Sequence, residues 1–215
     1  MIPILGGIAS AISGALSSVL SVVKTLVPAI TKIVGPMLEK LANAFEAFFK
    51  VLGLIEKDEH IEEIGDRALQ AEQDDLNPIK IENFDSHEKY LQAIKEYELD
   101  AEKSALIPAD DKLHKALEIL LGMAIAHYGK PMSDFGAIVM SNPEFYSKFG
   151  RLAEFGNLAK TDAKTFEEVV NYIENKNMST EKNDAAFDKI IEMEKKVNPD
   201  ASDAEVWTAV SDMKK

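Results

Sequence analysis

The run ILGGIASAISGALSSVLSVVK, residues 4–24, carries no charge before Lys24, and its apolar character continues through TLVPAITKIVGPMLEKLANAFEAFFKVLGLI, residues 25–55. Polar or helix-interrupting residues recur at Ser10, Ser13, Ser17, Ser21, Lys24, Pro28, Thr31, Gly35, Glu39, Asn43, Glu46 and Lys50. Their spacing of three or four keeps the period of an α-helix. The segment therefore reads as a helix with one narrow polar stripe. The rest of its circumference, from Ile8 and Ile12 through Val23, Leu26 and Ile30 to Phe45, Phe48 and Phe49, is apolar. A surface that wide must be hidden in a membrane, in a partner or in the protein's own core.

Two rows of small residues lie on the same helix. Gly6, Ser10, Gly14 and Ser18 recur at every fourth position, and Gly7, Ala11 and Ala15 form a row beside them. Small residues at that interval let helix backbones approach closely, in lipid or in a tight bundle. Pro28 and Pro36 each lack a backbone donor and crowd the carbonyl four residues back, so both are expected hinges. Three placements compete for the segment. It is a core or oligomer-interface helix, an interfacial or pore-forming helix with Lys24 and Lys32 near lipid headgroups, or a fixed span over Ile2–Val23. No basic residue precedes the apolar run, so it reads as part of the mature protein rather than as a signal peptide.

Two resemblances attach to these residues. Gly14-Ala-Leu-Ser-Ser-Val-Leu-Ser-Val-Val-Lys24, with Pro28 following, resembles the amphibian caerin peptides, membrane-active helices with a proline hinge. Met1-Ile-Pro-Ile-Leu-Gly-Gly-Ile-Ala-Ser-Ala-Ile-Ser-Gly-Ala-Leu16 is similar to the start of phage pilot proteins, the DNA-ejection-type virion proteins that help carry DNA across the host envelope. Both imply action at a membrane.

At 215 residues the chain has the length of one or two domains. It has no cysteine, which removes disulfides, thiol chemistry and thiolate metal sites. Lys24, Lys32, Lys40 and Lys50 against Glu39 and Glu46 leave residues 1–55 at +2; with a total of −13, residues 56–215 carry −15. A mildly cationic apolar front is thus joined to an acidic body. That body lacks the lysine and arginine clusters that displace counterions from a phosphate backbone, so no direct grip on nucleic acid is expected.

Composition changes near residue 55, which is taken as the boundary between a helical arm, 1–55, and an acidic bundle of about seven helices, 56–215. Glu56-Lys-Asp-Glu-His-Ile-Glu-Glu-Ile-Gly65 begins a charged helix that Asn77-Pro78 ends. Asp85 and Glu88 have the spacing of a capping box for a helix over Ser86–Lys103. Pro108 with Asp110 and Asp111 opens the most apolar helix of the body, which Gly129 and Pro131 should stop. Ser133 or Asp134 can cap a short helix to Met140. After Asn142-Pro143, the residues Phe145, Phe149, Leu152 and Phe155 form an aromatic stripe read as core. Thr165, then Ser179 or Thr180, cap the next two helices. Ser202 and Glu205 form a capping box for a last helix docked through Trp207.

No chemistry-bearing motif stands out. His60, His87, His114 and His127 are the candidate ligands or acid-base groups, yet none has a zinc-site spacing, and each reads as structural or solvated. Adjacent acidic pairs such as Asp110 and Asp111 diverge on a helix, and Gly6-Gly7 lacks the Lys-Ser/Thr of a phosphate loop. The expectation is an all-α protein that is not an enzyme and needs no cofactor or metal. It forms a homo-oligomer through its arms, in contact with a membrane or with other subunits of a larger particle. Its setting is a virion or a secreted, membrane-associated one. The alternative is a soluble adaptor whose arm is buried in a multi-subunit assembly.

Overall fold

The computed structural model describes the backbone of residues 5–214 and the side chains of residues 18–214. Over these residues the protein is all-helical, with twelve α-helices, one 3-10 turn at Ile81–Asn83 and no strand. The chain forms two units. One combines Met1–Gly35 with Asp58–Gly129, and the other combines Pro36–Lys57 with Lys130–Lys215. Of the three crossings between them, two fall at Gly35 and Gly129, which hold left-handed backbone conformations with φ of 59° and 72°.

The first unit holds α1 (Leu5–Ile30), α3 (Ile61–Glu72), α4 (His87–Glu96), α5 (Ala101–Leu106) and α6 (Ala109–Tyr128). The sequence singles out α6 as the most apolar helix of the body, and α1, α3 and α4 all pack on it. Its Ala116, Leu117, Leu120 and Ala124 are fully covered. The approach of α3 is closest at Gly65, where a Cβ would stand 1.8 Å from the Lys112 carbonyl oxygen. Beside that contact Asp66 is buried and accepts hydrogen bonds from Ser104 and from Gln70 Nε2 at 2.9 Å, with Lys112 Nζ 2.8 Å away. Burial pushes the Asp66 carboxyl up, but Lys112, Ser104 and Gln70 outweigh it and hold its pKa below the ordinary aspartate value.

The second unit holds α2 (Pro36–Leu52), α7 (Lys130–Ser141), α8 (Pro143–Tyr146), α9 (Arg151–Thr161), α10 (Ala163–Ile173), α11 (Thr180–Val197) and α12 (Asp203–Asp212). Its core is aromatic. Phe45, Phe48 and Phe49 of α2 meet one another at 5.4–5.9 Å, and Phe135 joins Phe48, Tyr146, Phe155 and Phe166. Arg151 and Glu194, both buried, form a two-bonded pair at 2.7 and 2.8 Å, and the guanidinium also caps the Phe145 ring.

Several expectations are corrected. The stretch read as one arm over 1–55 divides at Gly35, because Pro36–Leu52 packs against α9 in the second unit. Residues 56–215 carry ten α-helices, α3 to α12, rather than about seven. The charged helix begins at Ile61, not Glu56. The helix over 86–103 is split at Tyr97–Asp100, where Asp100 takes the N-cap of α5 and accepts from the Glu102 and Lys103 amides. Ser86 caps α4, while Asp85 pairs with Lys89 at 2.7 Å. Pro131 lies in the first turn of α7, where its missing N–H costs nothing, so the helix starts there and not at Ser133 or Asp134. Left-handed Gly150 (φ 82°) breaks the aromatic stripe and leaves Phe149 91% exposed. Asp162, not Thr165, caps α10 by accepting from the Thr165 amide. The Ser202–Glu205 capping box is present, but α12 docks through Val206 and Val210, and Trp207 is 58% exposed beside Phe187.

Two measurements check this packing. Gly65→Ala forces a methyl into the α6 backbone and should cost about 3 kcal/mol in urea unfolding. Glu194→Ala, which strands the buried Arg151 charge, should cost about 3–5 kcal/mol. A loss below one kilocalorie in either would mean that the surrounding helices do not hold these positions closed.

Candidate functional site: the seat of the first helix on α6

The amphipathic pattern of residues 18–33 is laid out directly in the fold. Val23, Leu26, Ile30 and Ile33 are buried, whereas Ser18, Ser21, Lys24, Thr25, Pro28, Thr31 and Lys32 are exposed. Three contacts set the register. The Gly35 amide donates to Asp110 Oδ2 at 3.1 Å, His114 Nε2 meets the Ile33 carbonyl at 2.9 Å, and Val23 approaches Gly122. As numbers fall along α1 they rise along α6, so the helices are antiparallel. Continued at the common rise of two α-helices, the turn at Ser18 lies level with Tyr128, the last residue of α6. Ahead of that turn α1 continues through residues 5–17.

The structure distributes the predicted residues unevenly. Gly6, Gly7, Ser10, Ala11, Gly14 and Ala15 lie on α1 with side chains outside the described ones, and Ser18 is exposed. The span considered over Ile2–Val23 falls largely on the same undescribed side chains. Among the described residues no helix is long and apolar enough to cross a membrane. Pro28 sits inside α1, which continues to Ile30, and Thr31 still donates to the Val27 carbonyl at 2.9 Å. The interruption comes at Thr31–Gly35, and Pro36 opens α2 instead of bending a continuous rod.

A groove runs beside α1, between it and the end of α3. One end has a volume of about 430 Å³ and meets Val27, Ile30, Leu69 and His114; the other has about 390 Å³ and meets Leu20, Lys24 and Glu82. Gln73, Lys115 and Glu118 border both ends. Lys115 Nζ is 2.6 Å from Glu72 Oε1, which also accepts from the Tyr90 hydroxyl at 3.0 Å. Burial, reinforced by Glu72, raises the Tyr90 pKa and keeps its hydroxyl a donor. Among the described residues no three histidine or carboxylate groups converge to hold a metal.

The four histidines have separate surroundings. His60 precedes α3 and His127 ends α6, both exposed, while His114 anchors the end of α1. His87 is buried against Gly122, where the missing side chain admits its ring, with Nε2 only 3.2 Å from where a Cβ would stand. Its importance, like that of Gly122 and Asp110, had no signal in the sequence beyond residue type.

No protein family, curated protein or solved structure matches the chain. The likeness to caerin peptides and phage pilot proteins thus rests on the opening residues alone.

Gly122→Val should press on both His87 and Val23 and unseat α1. The expected result is a loss of about 2 kcal/mol in urea unfolding. Amide exchange should accelerate across residues 20–33 more than elsewhere.

Proposed function

We propose that the protein is a helical assembly protein whose α1 acts as a partly docked arm, with several copies joining through their leading turns to engage or perforate a membrane. The observation that carries this reading is the register of α1 on α6. Residues 18–33, which lie along α6, have their apolar side covered, and α1 continues ahead of them through residues 5–17. In sequence that leading stretch combines Leu5, Ile8, Ile12 and Leu16 with the rows Gly6-Ser10-Gly14 and Gly7-Ala11-Ala15. Such a combination suits helices that meet one another closely while offering bulky side chains to an apolar medium.

In this reading the arm is a kinked apolar element on an acidic helical body. The break before Pro36 ends the arm, Pro28 is its internal weak point, and exposed Lys24 and Lys32 lie where anionic headgroups would attract them. The acidic remainder keeps the particle soluble and away from nucleic acid. A virion ejection protein or a secreted pore-former would use such a device. The second reading is a soluble adaptor whose arm is buried among other subunits.

Full-length protein at micromolar concentration should release dye from anionic phospholipid vesicles and float with them. Ile8→Glu with Ile12→Glu should reduce release by at least about tenfold while leaving thermal unfolding unchanged. Absence of both release and flotation for the unaltered chain removes the membrane reading; a discrete oligomer in that same sample would establish the adaptor reading.

A further inference from the structure

His87 occupies the first position of α4, after the Ser86 N-cap, and is only 2% exposed. Its ring and Val23 of α1 fill the same vacancy above Gly122, 3.2 and 3.4 Å from the point where a Cβ would lie. Three helices therefore meet at this imidazole. It makes no side-chain hydrogen bond among the described residues and borders a cavity of only about 20 Å³, whose other charged walls are Glu72, Lys115 and Glu118, so an added proton would bring a charge that no side chain accepts into a tight junction. The amino end of α4 also disfavours a cation.

The charges around it do not offset this. Glu72 of α3 is already engaged by Lys115 and Tyr90, and Glu118 of α6 lies 3.7 Å from the Lys115 ammonium. Lys80 and Glu82 border the groove beyond Ile81, and α1 contributes exposed Lys24. Glu88, next along α4, is exposed and favours the imidazolium, but burial outweighs it and draws the His87 pKa below the ordinary histidine value. In the unseated state the ring regains its ordinary value of about 6.5. The sign follows from linkage. Seating is fully supported above that pH and fades below it, because the unseated form takes the proton that the seated form resists.

We propose that His87 is an acid-sensitive latch: its neutral ring lets α1 lie on α6, and its protonation in mildly acidic medium frees residues 18–33 and their apolar side. This deepens the reading of α1 as the working arm and rests on it, by naming what would deploy the arm. Acidification would add the covered side of residues 18–33 to the leading turns and so lengthen the apolar surface available to a bilayer.

Hydrogen exchange of the full-length chain at about pH 7.5 and about pH 5.5, corrected for intrinsic rates, tests this while carboxylates stay ionised. Protection of residues 18–33 should fall by up to about tenfold at the lower pH and stay constant in His87→Gln. Equal protection at both values in the unaltered chain, or the same fall in the variant, overturns the latch. If the variant does not fold, the His87 ring resonance of the unaltered chain decides: titration at or above the ordinary histidine value overturns the proposal, and titration below it supports it. No lipid enters this measurement. Acid-dependent unseating without vesicle release would refute the membrane reading and keep the latch, and release with an acid-insensitive seat would do the reverse.

Discussion

A helix with more than half of its circumference apolar cannot stand in water uncovered, and the antiparallel contact with α6 answers that demand for residues 18–33. Val23, Leu26, Ile30 and Ile33 are the covered side chains there. At about 2 kcal/mol for each buried aliphatic chain, the four together contribute on the order of 8 kcal/mol before the cost of ordering the helix is subtracted. An uncompensated charge at the junction subtracts from that margin. The balance explains why one imidazole and one missing Cβ matter out of proportion to their area.

α6 can serve as a common platform because helices approach it on several sides without steric conflict. Gly65 lets α3 come within backbone contact of Lys112, and Gly122 makes room for His87 and Val23. The buried polar cluster of Asp66, Gln70, Ser104 and Lys112 then ties α3, α5 and α6 together with its hydrogen-bonding groups mutually engaged. Such a network fixes register, since sliding either helix by one residue would leave a charge buried without its partner.

Periodicity revealed which face is covered over residues 18–33. Ser21, Lys24, Pro28 and Thr31 of the polar stripe are exposed, and the Ser202–Glu205 box is found where its spacing places it. Periodicity does not name the partner, however. Residues 36–52 continue the pattern of residues 4–30, yet their phenylalanines belong to another unit. Where local turn chemistry competes with a stripe, the turn wins. Left-handed Gly150 throws Phe149 into solvent, and Asp100 captures two amides and ends what had read as one long helix. The site was less legible still, because His87 gains its character from a burial that only the meeting of α1, α4 and α6 creates.

The interleaving of the two units has a consequence for biosynthesis. Phe45, Phe48 and Phe49 leave the ribosome long before Phe135, Phe155 and Phe166 exist, and the bond from Lys160 to the Val51 carbonyl closes a separation of 109 residues. Between those moments Asp58–Gly129 completes the first unit, which can fold while the intervening apolar segment has nothing yet to pack against. Nascent α2 is therefore the apolar stretch left longest without its packing partners, and the second unit should close last, limited by the search across that long loop.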